Sequence, residues 1–196
     1  MFYALRNLFA LVGFAAIALM IYGTVKMAPM MQAFDTFDER AVDVYTEMMI
    51  KIIETGNAAE ATVWKIPVNE DLSVEDVEET MKFVANEHNI KNVGELPLSA
   101  EVEAVSGEKS RFFKIYQFCN AMTAKMMLDY SDAYSAYLPC RVSLVEDKQG
   151  KLWLYSLNMD AMIYGGTPLP PALKEEAEGV KTIMLDIMNR GAEGDF

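Results

Sequence analysis

A single histidine, His88, and only two cysteines, Cys119 and Cys140, occur in the chain. Without a second imidazole no histidine-based zinc site can be assembled, and neither a hydrolase nucleophile elbow nor a glycine-rich phosphate loop is present. Two cysteines are too few for the disulfide framework of a small secreted module, although they suffice for one bridge. Positive charge is scarce as well: 17 Lys and Arg stand against 29 Asp and Glu, for a net charge of -12. That balance argues against a nucleic-acid backbone or an anionic lipid surface as partner, because both need compensating cations. Internal repeats and low-complexity tracts are absent too. His88 itself lies in the polar run Asn86-Glu87-His88-Asn89 and reads as a solvated histidine in the last turn of a helix, where positive side chains are favoured.

What the chain does have begins with a long uncharged run. Residues 8–25 carry no charge and are bracketed by Arg6 and Lys26, close to the roughly 20 apolar residues with which a helix crosses about 30 Å of hydrocarbon. A cleaved signal peptide is the competing reading. Its apolar region normally spans about 7–15 residues before a small-x-small site, and Thr24-Val25-Lys26-Met27 offers no such site. Residues 1–27 are therefore read as a transmembrane anchor that contacts membrane lipid through residues 8–25, with Tyr22 near the interface. Positive groups are nearly balanced across the run, the α-amine and Arg6 before it and Lys26 and Arg40 after it. Orientation then rests on the short N-terminal tail, the layout of a signal anchor: N-terminus cytoplasmic, C-terminal domain periplasmic or otherwise extracytoplasmic.

Residues 28–57 form a juxtamembrane unit. Asp35 is the expected N-cap of a helix over 36–55 that Gly56 ends. Ala41, Val44, Tyr45, Met48, Met49, Ile52 and Ile53 recur at three- and four-residue spacing opposite Asp43, Glu47, Lys51 and Glu54, so the helix is amphipathic and needs a partner, either its own domain or another subunit. Met27, Met30 and Met31 are soft donors by type, yet methionines at a membrane boundary usually fill apolar gaps, and no metal is assigned to them.

Residues 58–196 read as a separate domain. Residues 62–68 alternate as a strand whose end or edge Pro67 marks. Ser73-Val74-Glu75-Asp76 opens a helix through Glu87, with Val74, Val77, Met81, Val84 and Ala85 facing inward. A strand region over 90–105 is interrupted by Gly94 and Pro97, and Ser106-Gly107-Glu108-Lys109 turns into a strand over 112–118. A helix over 121–137, broken near Ser131-Asp132, precedes strands over 141–146 and 151–155 joined by Asp147-Lys148-Gln149-Gly150, a hairpin connection with glycine where a positive φ is needed. After the Gly165-Gly166-Thr167-Pro168 loop, Pro170-Pro171 opens an amphipathic helix carrying Leu173, Ala177, Val180, Ile183, Met184, Ile187 and Met188, with Gly191 as its end. The order implies an α+β fold, helices gathered on one face of a largely antiparallel sheet.

Cys119-Asn120, followed by Ala124 and Leu128, and then Leu138-Pro139-Cys140-Arg141-Val142 before a hairpin turning at Gly150, resemble the domain of unknown function 302 family. The resemblance covers residues 60–190 and leaves the apolar run and the juxtamembrane helix outside it. The family signature looks like Cys-Asn-Pro at a strand end and Leu-Pro-Cys at the start of the next strand. It falls here on Cys119, Asn120, Leu138, Pro139 and Cys140, and Ala121 stands where the family has proline. The resemblance implies a fold similar to the TATA-binding-protein class, one strand, a helix, four strands and a helix, with one further helix inserted, and it implies dimers. It implies no activity.

Cys119 and Cys140 can meet if their strands run antiparallel, whereas a parallel crossover would part them beyond the roughly 7 Å between α-carbons that a bridge allows. The family fold implies the first arrangement. The pair is then open to three readings: packed inert thiols, a structural disulfide closing a loop of about 20 residues, or a working thiol or soft-metal site. A helix starting after Asn120 would stabilise a Cys119 thiolate and lower its pKa. Asn120 is a candidate hydrogen-bond donor to such a group, and Pro139, Asn158 and Asp160 are the other candidate binding residues along the same edge. A ligand pocket between the sheet and the 121–137 helix would be lined by Phe113, Tyr116, Tyr134 and Trp153. With no catalytic constellation and no cofactor expected, the leading expectation is a membrane-anchored, non-catalytic interaction domain. It would be a homo-oligomer or an accessory subunit of a membrane-protein assembly, with no nucleic-acid partner. The alternatives are a thiol-redox or sulfur-handling protein, in which Cys119 reacts and Cys140 resolves, and a small-ligand or soft-metal binding domain.

Overall fold

The computed structural model describes residues 2–196, with the side chains of Phe2, Ala4, Leu5, Leu8, Met30 and Ala33 outside that description. The Met30 sulfur considered above therefore lies outside the described residues. Helix α1 (Phe2–Phe34) carries the apolar run through Pro29. Its segment Phe9–Pro29 is long and apolar enough to cross a membrane, and none of it is buried against the protein. The Thr24 hydroxyl, in the C-terminal part of this segment, donates back to the carbonyls of Met20 and Ile21 and is satisfied within the helix.

The second helix starts later than its periodicity suggests: α1 continues to Phe34, and α2 (Ala41–Thr55) begins beyond two successive turns. Asp35 is not its cap. Asp38 organises the corner instead, accepting from the Arg40 backbone N–H at 3.0 Å and from Lys174 Nζ at 2.6 Å, while its own N–H donates to Gly166 at 2.8 Å. A buried carboxylate needs such partners, and only the folded chain brings Lys174 to it. Gly56 ends α2 at φ 65°, as expected.

The domain proper contains α3 (Ala58–Ala61), β1 (Val63–Pro67), α4 (Val74–Glu87), β2 (Lys91–Leu96), α5 (Leu98–Ser106), β3 (Phe113–Cys119), α6 (Ala121–Tyr130), a 3-10 turn (Asp132–Tyr137), β4 (Cys140–Glu146), β5 (Leu152–Leu157), α7 (Asp160–Tyr164) and α8 (Pro171–Glu193). The five strands form one antiparallel sheet in the order β1-β5-β4-β3-β2, so Pro67 sits on an edge strand where its missing N–H is harmless. Tyr116, Phe118, Val142, Leu144 and Leu154 pack with Val77, Met81 and Val84 of α4 and Met184, Ile187 and Met188 of α8 in a single core. This is the α+β arrangement expected, with α4 and α8 lying side by side on one sheet face.

Local chemistry explains the elements that behave as read. Ser73 and Asp76 form a reciprocal capping box, Asp76 N–H to Ser73 Oγ at 3.1 Å and Ser73 N–H to Asp76 Oδ2 at 2.9 Å. In the β4–β5 hairpin Asp147 Oδ1 accepts from Gln149 and Lys151 at 2.8 and 2.9 Å, and Gly150 takes φ 83°. Three readings need correction. Residues 98–106 are helix, because Pro97 ends β2 and the Ala- and Glu-rich segment after it has better helix than strand propensity. Gly191 does not end the last helix; it is buried in α8 with an ideal Cβ only 2.6 Å from Met81 Cγ, so it permits close approach of α4, and Gly194 at φ 72° is the stop. His88 is the C-cap of α4 but is not merely solvated, since its Nε2 meets Asp186 of α8 at 2.7 Å.

Candidate functional site

Two local features and one strand pairing bring the two cysteines to one rim. β3 ends at Cys119, and Asn120 caps α6 by accepting from the Met122 and Thr123 N–H groups at 3.0 and 3.2 Å. The chain returns through the 3-10 turn, capped by Ser131, and enters β4 across a cis Leu138-Pro139 bond. The antiparallel β3–β4 register pairs Phe118 with Cys140, which places Cys119 beside it. Both are unbonded thiols.

The rim opens into a cavity of about 250 Å³. Thr123, Ala124 and Met127 of α6 form one wall, Ile115, Phe118, Cys119, Cys140, Arg141 and Ser143 of β3 and β4 another, and Met159, Met162, Val180 and Met184 close it from the α7–α8 side. Tyr134 and Tyr137 also line it, and Asn120, Tyr155 and Ser156 add further polar groups. Two hydrogen bonds tie its walls together: Thr123 Oγ1 donates to Glu176 of α8 at 2.9 Å, and the Tyr134 hydroxyl donates to the Met162 carbonyl at 3.2 Å. Ser156 Oγ is spent on the Arg141 carbonyl at 2.7 Å. Arg141 itself is exposed and makes no ion pair among the described residues. The result is a small, sulfur-rich apolar space with one cation at its edge.

Burial raises the pKa of the Cys119 thiol, and it pushes Cys140 up to about 11, helped by the neighbouring Cys119 and only partly offset by a backbone hydrogen bond and Arg141. The expectation of a lowered Cys119 pKa is therefore corrected. The α6 N–H groups that would have faced a thiolate are taken by the Asn120 carboxamide, and desolvation favours the neutral thiol. Two protonated thiols label slowly at neutral pH. In a maleimide time course Cys119 is expected to react before Cys140, with the Cys140 rate rising about tenfold per unit between pH 7 and 10. A Cys140 rate that levels off below pH 8 would contradict this assignment.

Not every residue singled out from sequence lies here. Asn120 and Cys119 line the cavity together with Cys140, whereas Pro139 shapes the rim between two lining residues. Asn158 and Asp160 line an adjacent groove of about 560 Å³ between α2 and the β1–β5 edge, which shares Val63, Tyr137, Leu157 and Met162 with the cavity. Both are already engaged, Asn158 Oδ1 with the Asp160 N–H at 2.8 Å and the Asp160 carboxylate with Lys181. Of the four aromatics expected around a pocket only Tyr134 is there. Tyr116 is fully buried with its hydroxyl 2.5 Å from Glu78, and Trp153 Nε1 donates to Asp147 at 2.9 Å. Sequence reasoning missed Met127, Met159, Met162, Met184 and Arg141; the 15 methionines were the one available signal, and their convergence is a long-range property. Among the described residues no three His, Cys, Asp or Glu side chains are grouped as a metal site.

Comparison with known proteins follows the fold. A family model described as Domain of unknown function DUF302 matches residues 64–191. The crystal structure of an uncharacterized conserved protein DUF302 from Bacillus stearothermophilus superposes with a TM-score of 0.54 at 15% sequence identity, covering 66% of this chain and 97% of that one. At that identity the likeness is one of fold. No curated protein matches.

Proposed function

We propose that this member of the DUF302 family, whose description names no reaction, is a membrane-anchored, non-catalytic domain that binds a small, predominantly apolar ligand in the family fold itself, beneath α6. Helix α1 is the anchor, retained rather than cleaved, with its N-terminus cytoplasmic and the domain on the far side of the bilayer. The observation that carries the reading is the cavity itself. Most of its lining is apolar, thioether or thiol, and four of its eight polar lining residues, Asn120, Thr123, Tyr134 and Ser156, already have protein partners, so water gains little over much of the space and an apolar guest displaces it there. Arg141 at the rim suits an anionic end group. Protonated thiols, and no carboxylate or histidine among the described lining residues, support binding over chemistry.

The test uses octanoate and octanol as probes on the full chain in phosphatidylcholine nanodiscs. At about ten times its dissociation constant octanoate contributes about 1.4 kcal/mol and is expected to raise Tm by about 3–6 °C. Ala124→Phe, which fills the space, should abolish the shift, and Arg141→Gln should lose it for octanoate while keeping it for octanol. Equal shifts in the parent and Ala124→Phe would mean partition into lipid and would end the reading. A second reading, a soft monovalent cation such as Cu(I), draws on six sulfur-bearing side chains around one space, Cys119, Cys140, Met127, Met159, Met162 and Met184. Under that reading silver ion raises Tm in the parent and in Arg141→Gln alike but not in Cys140→Ala, and its uptake releases protons.

A further inference from the structure

Helix α2 presents apolar side chains to two sides, and the domain covers one. Ala41 and Val44 are buried and Met48 packs on the core, but Val42, Tyr45, Met49, Ile50 and Ile53 are 43–75% exposed, Tyr45 standing at the margin of this face with its hydroxyl donating to the Gly165 carbonyl at 2.5 Å. At about 100° per residue these five occupy an arc of about 140°, with Asp43, Glu47, Lys51 and Glu54 beside it. A helix of a soluble domain seldom leaves so wide an apolar face in water. Its position in the chain indicates the occupant. α1 is followed by two tight turns, Phe37 N–H to the Phe34 carbonyl and Ala41 N–H to the Asp38 carbonyl, with Phe34 and Phe37 rings 5.2 Å apart. The corner is pinned to the domain by Asp38 and Lys174, so α2 cannot move far from the end of the apolar helix.

We infer that the exposed face of α2 lies in the interfacial layer of the bilayer that α1 crosses, against zwitterionic lipid, an inference that rests on the anchor reading above. An interfacial helix buries such a face about 5–10 Å into the boundary between headgroups and chains. Three acidic residues against one lysine beside the stripe disfavour anionic headgroups. α2 also walls the groove that shares Tyr137, Leu157 and Met162 with the cavity, so this docking sets the approach to the cavity next to lipid.

The experiment places a nitroxide at Met49→Cys or Glu47→Cys in the full chain, in a Cys119→Ala, Cys140→Ala background, in phosphatidylcholine nanodiscs. The ratio of oxygen to nickel-chelate accessibility at 49 should be several-fold higher than at 47. Equal ratios would overturn the inference, and so would a label at 49 shielded from both relaxants, which would mean a protein contact such as a second copy. A variant that keeps both cysteines guards against misfolding: Ile53→Trp should be quenched by dibrominated phosphatidylcholine beyond the baseline set by Trp64 and Trp153, and no added quenching overturns the proposal. Carbonate extraction separates the two layers of argument. Release of the intact chain defeats the anchor, whereas retention with a water-exposed label at 49 defeats only the docking of α2.

Discussion

Lys114→Ala should cost the domain about 3 kcal/mol of unfolding free energy in a urea titration, the low end of what breaking a buried charge pair costs. Lys114 projects from β3 with its side chain 16% exposed, its Nζ 2.9 Å from Glu78 and 2.7 Å from Glu95. Lys82 reaches the other Glu95 oxygen at 2.8 Å, and Tyr116 donates its hydroxyl to Glu78 at 2.5 Å. Removing the central ammonium leaves two carboxylates facing each other over a packed sheet, with one lysine between them. Lys114→Met together with Glu78→Gln and Glu95→Gln should recover most of the loss, since a neutral set of similar volume has no charge to desolvate. A loss under about 1 kcal/mol for Lys114→Ala would mean that the cluster behaves like a surface pair.

The same cluster sets the acid limb of stability. Burial alone would raise the Glu95 pKa, but hydrogen bonds from Lys114, Lys82 and Asn92 outweigh it and hold the carboxyl at about 2, against an ordinary value of 4.5. A folded-state pKa below the unfolded one gives stabilisation that is complete above pH 4.5 and disappears as pH falls from there toward 2. Its size is on the order of 2 kcal/mol after allowance for partial solvent access. Lys114 is shifted the other way: its pKa is raised, because the two glutamates outweigh its own desolvation, so its share persists through neutral pH and is lost only in strong alkali. In Lys114→Ala the decline between pH 4.5 and 2 should therefore be visibly shallower than in the parent.

The second large effect belongs to the contact between α4 and α8. Gly191→Val is expected to lower stability by about 3 kcal/mol, because its Cβ would stand 2.6 Å from Met81 Cγ and 3.6 Å from Leu154 Cδ1 in a core with no room. Helix propensity alone would favour valine over glycine by about 0.3–0.5 kcal/mol, so the sign of the result reports which term wins. Met81→Ala vacates the same space. Combined with Gly191→Val it should be at least about 1 kcal/mol more stable than the sum of the two single changes predicts. Additive losses would show that the glycine is not there for packing.

Features readable along the chain are those whose cause is local. The Ser73–Asp76 capping box, the Asp147–Gly150 hairpin, the Asn120 helix start and the stripe Val77, Met81, Val84, Ala85 each depend on residues within a few positions of one another, and each is found where the pattern puts it. Local patterns misled where a distant contact intervened. Asp38 replaced Asp35 at the α2 corner because Lys174, 136 positions on, pairs with it. Gly191 looked like a helix end and proved to be a packing position because Met81 lies across from it.

The candidate site divides in the same way. Residue order by itself determined the apolar N-terminal helix, the α+β class, and the presence of a thiol at each end of the segment between two strands, since periodicity and turn chemistry are written in neighbouring residues. Only the tertiary structure decided that β3 and β4 pair with Phe118 opposite Cys140, that four methionines from α6, α7 and α8 and the loop between β5 and α7 converge on those thiols, and that burial keeps both protonated. Desolvation and side-chain convergence depend on which distant elements share a space, and no spacing within a strand or helix encodes that.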